Sequence, residues 1–176
     1  MEPIQEPNQH ANDGQGTLRP MLSFGEAVSI CLKKYSDFKG RARRSEYWWW
    51  VLLSLIAGTV AKFIDGTFNL LFSASSINIV SIIVWLVLII PSLAVATRRL
   101  HDTGRSGWWI VALAVVGVIE VILSFIIADS VPSLLWYYVL WFVILILLLL
   151  SLILLYFEVL DSHKGENQYG PSPKYQ

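Results

Sequence analysis

Between Leu134 and Phe157 the chain carries no charged side chain, and the middle of that run reads "VILILLLLSLILL". A stretch of this kind settles the solvent before it settles the fold, because about 20 helical residues cross the hydrocarbon core of a bilayer. The full segment is Leu134–Leu160, and three others are long and apolar enough to do the same: Tyr47–Ile64, Ile77–Thr97 and Trp108–Ala128. In lipid every backbone N–H and C=O must find a partner within the protein, so spanning segments are helices or closed barrels. Alternating strand patterns are absent, and the expectation is an all-α membrane protein with four transmembrane helices. The fourth segment exceeds a minimal span and is expected to tilt or to project past the bilayer.

Charge orients these segments. The net charge is zero, but lysine and arginine are unevenly spread, and basic residues are retained on the cytoplasmic side. Lys33, Lys34, Lys39, Arg41, Arg43 and Arg44 precede the first segment, Arg98, Arg99 and Arg105 separate the second from the third, and Lys164 and Lys174 follow the fourth. The other two connections, Asp65–Ser76 and Asp129–Ser133, contain neither residue type. Both termini and the central loop are therefore expected to face the cytoplasm. Lys62 is the one cation that falls toward the far side.

A hydrophobic share of 55% against 15% charged residues lies far from a soluble composition. The polar exception is residues 1–20, rich in Pro, Gly, Asn and Gln, which cannot bury enough apolar surface to order and read as a disordered tail before a membrane domain at 21–176. No apolar stretch lies near the N-terminus, so a cleaved secretory signal is not expected. Next, "SFGEAVSICLKKY" spaces Phe24, Ala27, Val28, Cys31, Leu32 and Tyr35 along one helical stripe. That pattern fits an N-terminal amphipathic interfacial helix, or equally a helix packed on the end of the bundle. Ser45 is placed to cap the first span, Glu46 suits its N-terminal dipole, and Tyr47–Trp50 form an aromatic belt at headgroup level.

Three motifs carry a family resemblance. "FKGRARRSEYWWW", "RRLHDTGRSGWW" and "DSHKGENQYGPSPK", in this order around four apolar segments, resemble DUF805, a bacterial family of small inner-membrane proteins of unknown function. The likeness runs from about Ser23 to Lys174 and implies a four-helix bundle in the bacterial inner membrane; it brings no activity with it. The polar N-terminal extension departs from the family pattern.

The central loop supports two readings. In the first it is an anchored turn: Arg98, Arg99 and His101 complement the dipole at the C-terminal end of the second span, Thr103–Gly104 stops the helix, Ser106 or Gly107 opens the third span, and Trp108 and Trp109 mark the interface. In the second, Arg98, Arg99 and Arg105, with the amides around Gly104–Gly107, cradle an anionic phospholipid headgroup, Arg41, Arg43 and Arg44 approach the same surface, and Asp102 holds one arginine in a fixed pose. "GRSGWW" also echoes "GRARRSEYWWW", as a two-hairpin repeat would.

Within the spans, Glu120 is an ionisable group at mid-depth, a costly position that marks a functional residue by default. Lys62 lies at a similar depth on a parallel helix, so an intramembrane Lys62–Glu120 pair is expected, serving packing or an ion path. Pro91 is expected to free a carbonyl near Val87. Cys31 is the single cysteine, and His10, His101 and His163 are scattered, so no metal set, disulfide or cofactor is expected. No hydrolase or nucleotide-binding motif occurs, and nothing points to nucleic acid. The expected role is non-enzymatic: binding anionic lipid or a membrane partner through a cytoplasmic Arg-rich face. The alternative is a subunit of a small homo-oligomeric transporter or channel that uses Glu120 and Lys62.

Overall fold

The computed structural model describes residues 18–72, 78–127 and 133–175. These form five α-helices: α1 (Phe24–Lys33), α2 (Arg44–Phe72), α3 (Ile79–Asp102), α4 (Trp108–Ile127) and α5 (Ser133–Val159), with no strand among the described residues beyond isolated bridges. Three are long and apolar enough to cross a membrane, over Arg44–Leu71, Ile79–Asp102 and Tyr137–Val159. α4 is apolar as well and, with 20 residues, about 30 Å long. Of the polar N-terminal segment, residues 1–17 lie outside the described residues, as do residues 73–77 and 128–132.

α2 packs antiparallel along α3, and α4 along α5, giving two helical pairs. α1 lies across the first pair, burying Ala27 and packing Cys31 with Trp50 and Val95, while Phe24 and Leu32 stay exposed. Its start is a capping box. The Ser23 amide and hydroxyl donate to Glu26 Oε2 at 2.8 and 2.7 Å. The amide first, then the hydroxyl, hold the Glu26 carboxyl below its ordinary value. The two pairs meet at one end only, where Leu100 of α3 packs on Leu154 and Phe157 of α5, backed by Ile110 and Leu113 of α4. Along the rest of their length the helices present exposed Leu, Ile, Val and Phe, a surface suited to lipid and not to water.

Two boundaries differ from the expected ones for tertiary reasons. α2 begins at Arg44, so Ser45 is no cap; its hydroxyl accepts from the Leu22 amide at 3.4 Å, and the entry is set by the Ala42 amide bonding to the Arg98 carbonyl at 2.9 Å. At its far end α2 runs on to Phe72 and takes in Asp65, whose carboxylate accepts the Val80 and Ser81 amides at 3.0 and 2.8 Å. Asn78, at the N-cap of α3, makes no side-chain cap bond, so Asp65 caps that helix from its neighbour. Pro91 stands inside α3, and the Val87 carbonyl, which a proline at that position cannot serve, accepts the Tyr35 hydroxyl at 2.5 Å.

Candidate functional site

The end of α3 is where the described polar groups concentrate. The helix stops in a Schellman motif: the Arg105 amide returns to the Leu100 carbonyl at 2.9 Å and the Gly104 amide to the His101 carbonyl at 3.0 Å. Gly104 supplies the required left-handed residue, with φ of 75°. Gly107 then brings α4 so close to α3 that an added Cβ would lie 2.6 Å from the Thr97 methyl.

Asp102 sits at the centre, fully buried between two arginines. Its Oδ1 meets Arg41 Nε at 2.9 Å and its Oδ2 meets Arg99 Nη1 at 2.5 Å, with all three side chains at most 1% exposed. Carbonyl oxygens take most of the remaining donors. Arg41 Nη1 bonds the Gly165 and Gly170 carbonyls at 2.8 and 3.1 Å, and its Nη2 bonds those of His163 and Asp102 at 2.6 and 3.4 Å. All five N–H donors of that guanidinium are thereby engaged. Arg99 reaches the Glu158 carbonyl at 3.0 Å and the Leu160 carbonyl. Arg98, equally buried, pairs with Glu46 at 2.8 Å and bonds the Lys34 and Asp37 carbonyls at 3.2 and 2.5 Å, leaving its Nε without a partner. Charge-assisted bonds of this kind are roughly twice as strong as neutral ones and compensate the removal of the guanidinium groups from water.

The surrounding groups complete a seam between α3, the α1–α2 connection and the C-terminal tail. His101 Nδ1 lies 3.1 Å from the Gly40 carbonyl, and the ring stacks on Tyr169 at 3.7 Å and 3°. Asn167 Nδ2 donates to the His101 carbonyl at 2.9 Å and the His163 backbone amide to the Asp102 carbonyl at 3.1 Å. Tyr47 donates to Glu158 at 2.5 Å. Cys31 lies 3.9 Å from Glu46 Oε1, and burial, then that carboxylate, push its thiol up to about 12.

The arginines expected to form one anion site thus divide. Arg41, Arg98 and Arg99 are committed to the chain itself. Arg43 is buried and donates only to the neutral carbonyls of Pro20 and Arg19, at 2.6 and 2.9 Å. Arg44 and Lys174 are partly exposed and share Asp161, at 2.6 and 2.7 Å. Burial pushes the Asp161 carboxyl up, but Lys174, the Ser162 amide and Arg44 outweigh it and hold it down at about 2. Arg105 is exposed, its guanidinium 4.6 Å over the Phe157 ring. Arg41 and Arg105, matched in the sequence echo, therefore occupy opposite environments. Ser106 caps the start of α4 by accepting the Trp108 amide at 3.3 Å.

Lys62 is exposed on α2, and Glu120 is half-buried on α4; among the described residues neither joins an ion pair. Two open grooves flank the seam. One, of about 760 Å³ between α3 and α4, runs from His101 and Tyr169 down to Ile119 and has no lysine or arginine in its lining. The other, of about 880 Å³ between the start of α2 and the end of α5, is lined by Arg43, Arg44, Lys174, Trp48, Trp49 and Leu52 among others. Lys174, Asp161, Glu46 and Glu158 were not singled out as site residues from the sequence; the available signal was a carboxylate at the end of an apolar run that also carries arginines.

Comparison with known proteins identifies the family. Residues 35–171 match the family described as "Protein of unknown function (DUF805)". The chain belongs to this family. Inner membrane protein YhaH of Escherichia coli (strain K12) is 32% identical over 145 residues, which are 82% of this chain and 93% of YhaH. Inner membrane protein YhaI of the same organism is 42% identical over 78 residues, 44% of this chain, and the match spans only 62% of YhaI. No solved structure matches. With its long apolar helices, this DUF805 chain is an integral inner-membrane protein.

If Asp102 is the shared counter-ion of two buried guanidinium groups, Asp102→Ala strands both and costs about 3–5 kcal/mol. Arg44→Ala, which breaks a half-exposed pair, costs less than about 1 kcal/mol. Thermal unfolding in mild detergent reads the contrast, and equal midpoints for the two variants would contradict the assignment.

Proposed function

We propose that the chain is a non-enzymatic inner-membrane protein that binds anionic phospholipid at its cytoplasmic face, with four spans formed by α2 to α5, both termini and the α3–α4 turn cytoplasmic, and α1 lying at the inner interface. One observation carries this reading. By chain position, twelve of the thirteen lysines and arginines belong to the end that holds Arg44, Asp102, Trp108 and Val159, against ten of the thirteen carboxylates. The positive-inside bias assigns that end to the cytoplasm. The surplus cations meet the anionic inner leaflet, where each contributes about 1 kcal/mol of attraction.

Within this reading Arg41, Arg98 and Arg99 build the cap and do not contact lipid, while Arg43, Arg44, Lys174 and Arg105, together with lysines 33, 34 and 39, supply its positive field. The exposed face of α1, with Phe24 and Leu32, suits the acyl boundary. α4, at 20 residues, matches the bilayer core without excess. A transport path through Lys62 and Glu120 draws no support from the arrangement of those two side chains.

The topology makes a labelling prediction. Native Cys31 is buried and its thiol is held up at about 12, so it stays silent toward maleimides near neutral pH. In spheroplasts, an impermeant maleimide labels Ser75→Cys and Ser130→Cys directly and Lys164→Cys only after permeabilisation. Labelling of Ser130→Cys only after permeabilisation would mean that α4 does not cross.

The function makes a separate one. Protein extracted in mild detergent should carry phosphatidylglycerol or cardiolipin enriched over the membrane from which it came. A co-purified headgroup composition equal to that of the bulk membrane would count against lipid binding.

A further inference from the structure

The surplus charge is not smeared over the cap; part of it converges on one groove. Arg43, Arg44 and Lys174 line the opening between the first turn of α2 and the end of α5, and among the described residues a single carboxylate, Asp161, answers them. Arg43 keeps its whole charge, since its bonds go to neutral carbonyls. Three cations against one anion leave an excess of two positive charges at the mouth. Asp161 does not close the site. It receives Lys174 through both oxygens, at 2.7 and 2.8 Å, and Arg44 at 2.6 Å, which holds two otherwise flexible cations side by side. Below them the wall turns apolar within one helical turn: Trp48 and Trp49 stand at the mouth, and Leu52 continues toward the span, all three with exposed surface. Cation above, indole at the boundary and aliphatic below is the order of polarity in a phospholipid from phosphate through glycerol to acyl chain.

We propose that this groove is a binding site for one anionic phospholipid, its phosphate held by Arg44 and Lys174 beside the fixed charge of Arg43, its glycerol against Trp48 and Trp49, and the start of an acyl chain along Leu52. The inference rests on the cytoplasmic lipid-binding reading above and gives it an address. Charge complementarity fixes the occupant. The α3–α4 groove, of similar size, has no lysine or arginine in its lining to balance a phosphate's charge. A zwitterionic lipid would bring its own ammonium to a mouth that already holds three cations.

Native mass spectrometry of the full chain in mild detergent, titrated with phosphatidylglycerol or phosphatidylcholine, tests the site. The wild-type chain holds one phosphatidylglycerol in preference to phosphatidylcholine, and Arg44→Gln/Lys174→Gln weakens that retention about tenfold. Because the double variant also breaks the Asp161 pairs, a second one keeps every charge: Leu52→Trp fills the apolar floor and is likewise expected to expel the lipid. A control, Lys164→Gln, removes an exposed cation that lines neither groove and leaves the bound lipid in place. Retention of the lipid in both groove variants overturns the groove while the broader lipid reading stands. No preference for phosphatidylglycerol in the wild-type chain overturns both.

Discussion

A buried carboxylate shared by two guanidinium groups holds the rest of the structure together. Asp102 ends α3, Arg99 precedes it by one turn, and Arg41 comes from the connection before α2. None of the three retains contact with water, so each is stable there only because its partners are in place. The carbonyls that fill the remaining donors belong to the C-terminal tail and to the end of α5, so the same ion cluster fixes two helices, one connection and the tail. It lies at the C-terminal end of α3, where the aligned peptide dipoles favour cations. The His101–Tyr169 stack and the Arg98–Glu46 pair, one turn away on α3, adjoin that fixed point.

Such a cap explains why the helices can be loosely joined elsewhere. In lipid there is no hydrophobic force pressing apolar helices together, so association depends on packing and polar bonds. Here the polar bonds are collected at the end that holds Asp102 and, through Asp65 and the α3 amides, at the far end of the first pair. Between the two pairs the structure leaves grooves that lipid can fill. Arginines consumed in the cap give shape, and those that line a groove keep charge beside exposed surface.

The sequence made the apolar lengths, the glycine stop at Gly104 and the cationic end of α3 legible, because each depends on residues within a few positions of one another. It also located the carbonyl that Pro91 frees at Val87, but not its taker: Tyr35 is 52 residues away. The same distance effect hid the cap. Arg41 lies 61 residues before Asp102, and nothing local says that a basic stretch ahead of one span closes on a carboxylate after another. Reading the six arginines as one anion site followed from their type. Whether a guanidinium is buried against carbonyls or open to solvent is decided by long-range packing, which is why Arg44 and Arg105 part company with Arg41, Arg98 and Arg99. α2 outran its expected end for a related reason, since Asp65 is polar by composition but helical by virtue of the α3 amides it caps.

Hydrogen–deuterium exchange across residues 162–175 tests the central claim most directly, by comparing the wild-type chain with Arg41→Gln in the same detergent. If Arg41 ties the tail to Asp102, the wild-type amides of His163, Asn167 and Gly170, each bonded to a carbonyl, exchange slowly. In the variant they should exchange fast while α2 and α3 remain protected. Equal protection of the tail in both proteins would mean that it is held by something other than the buried arginine cluster, and the account would fail at its base.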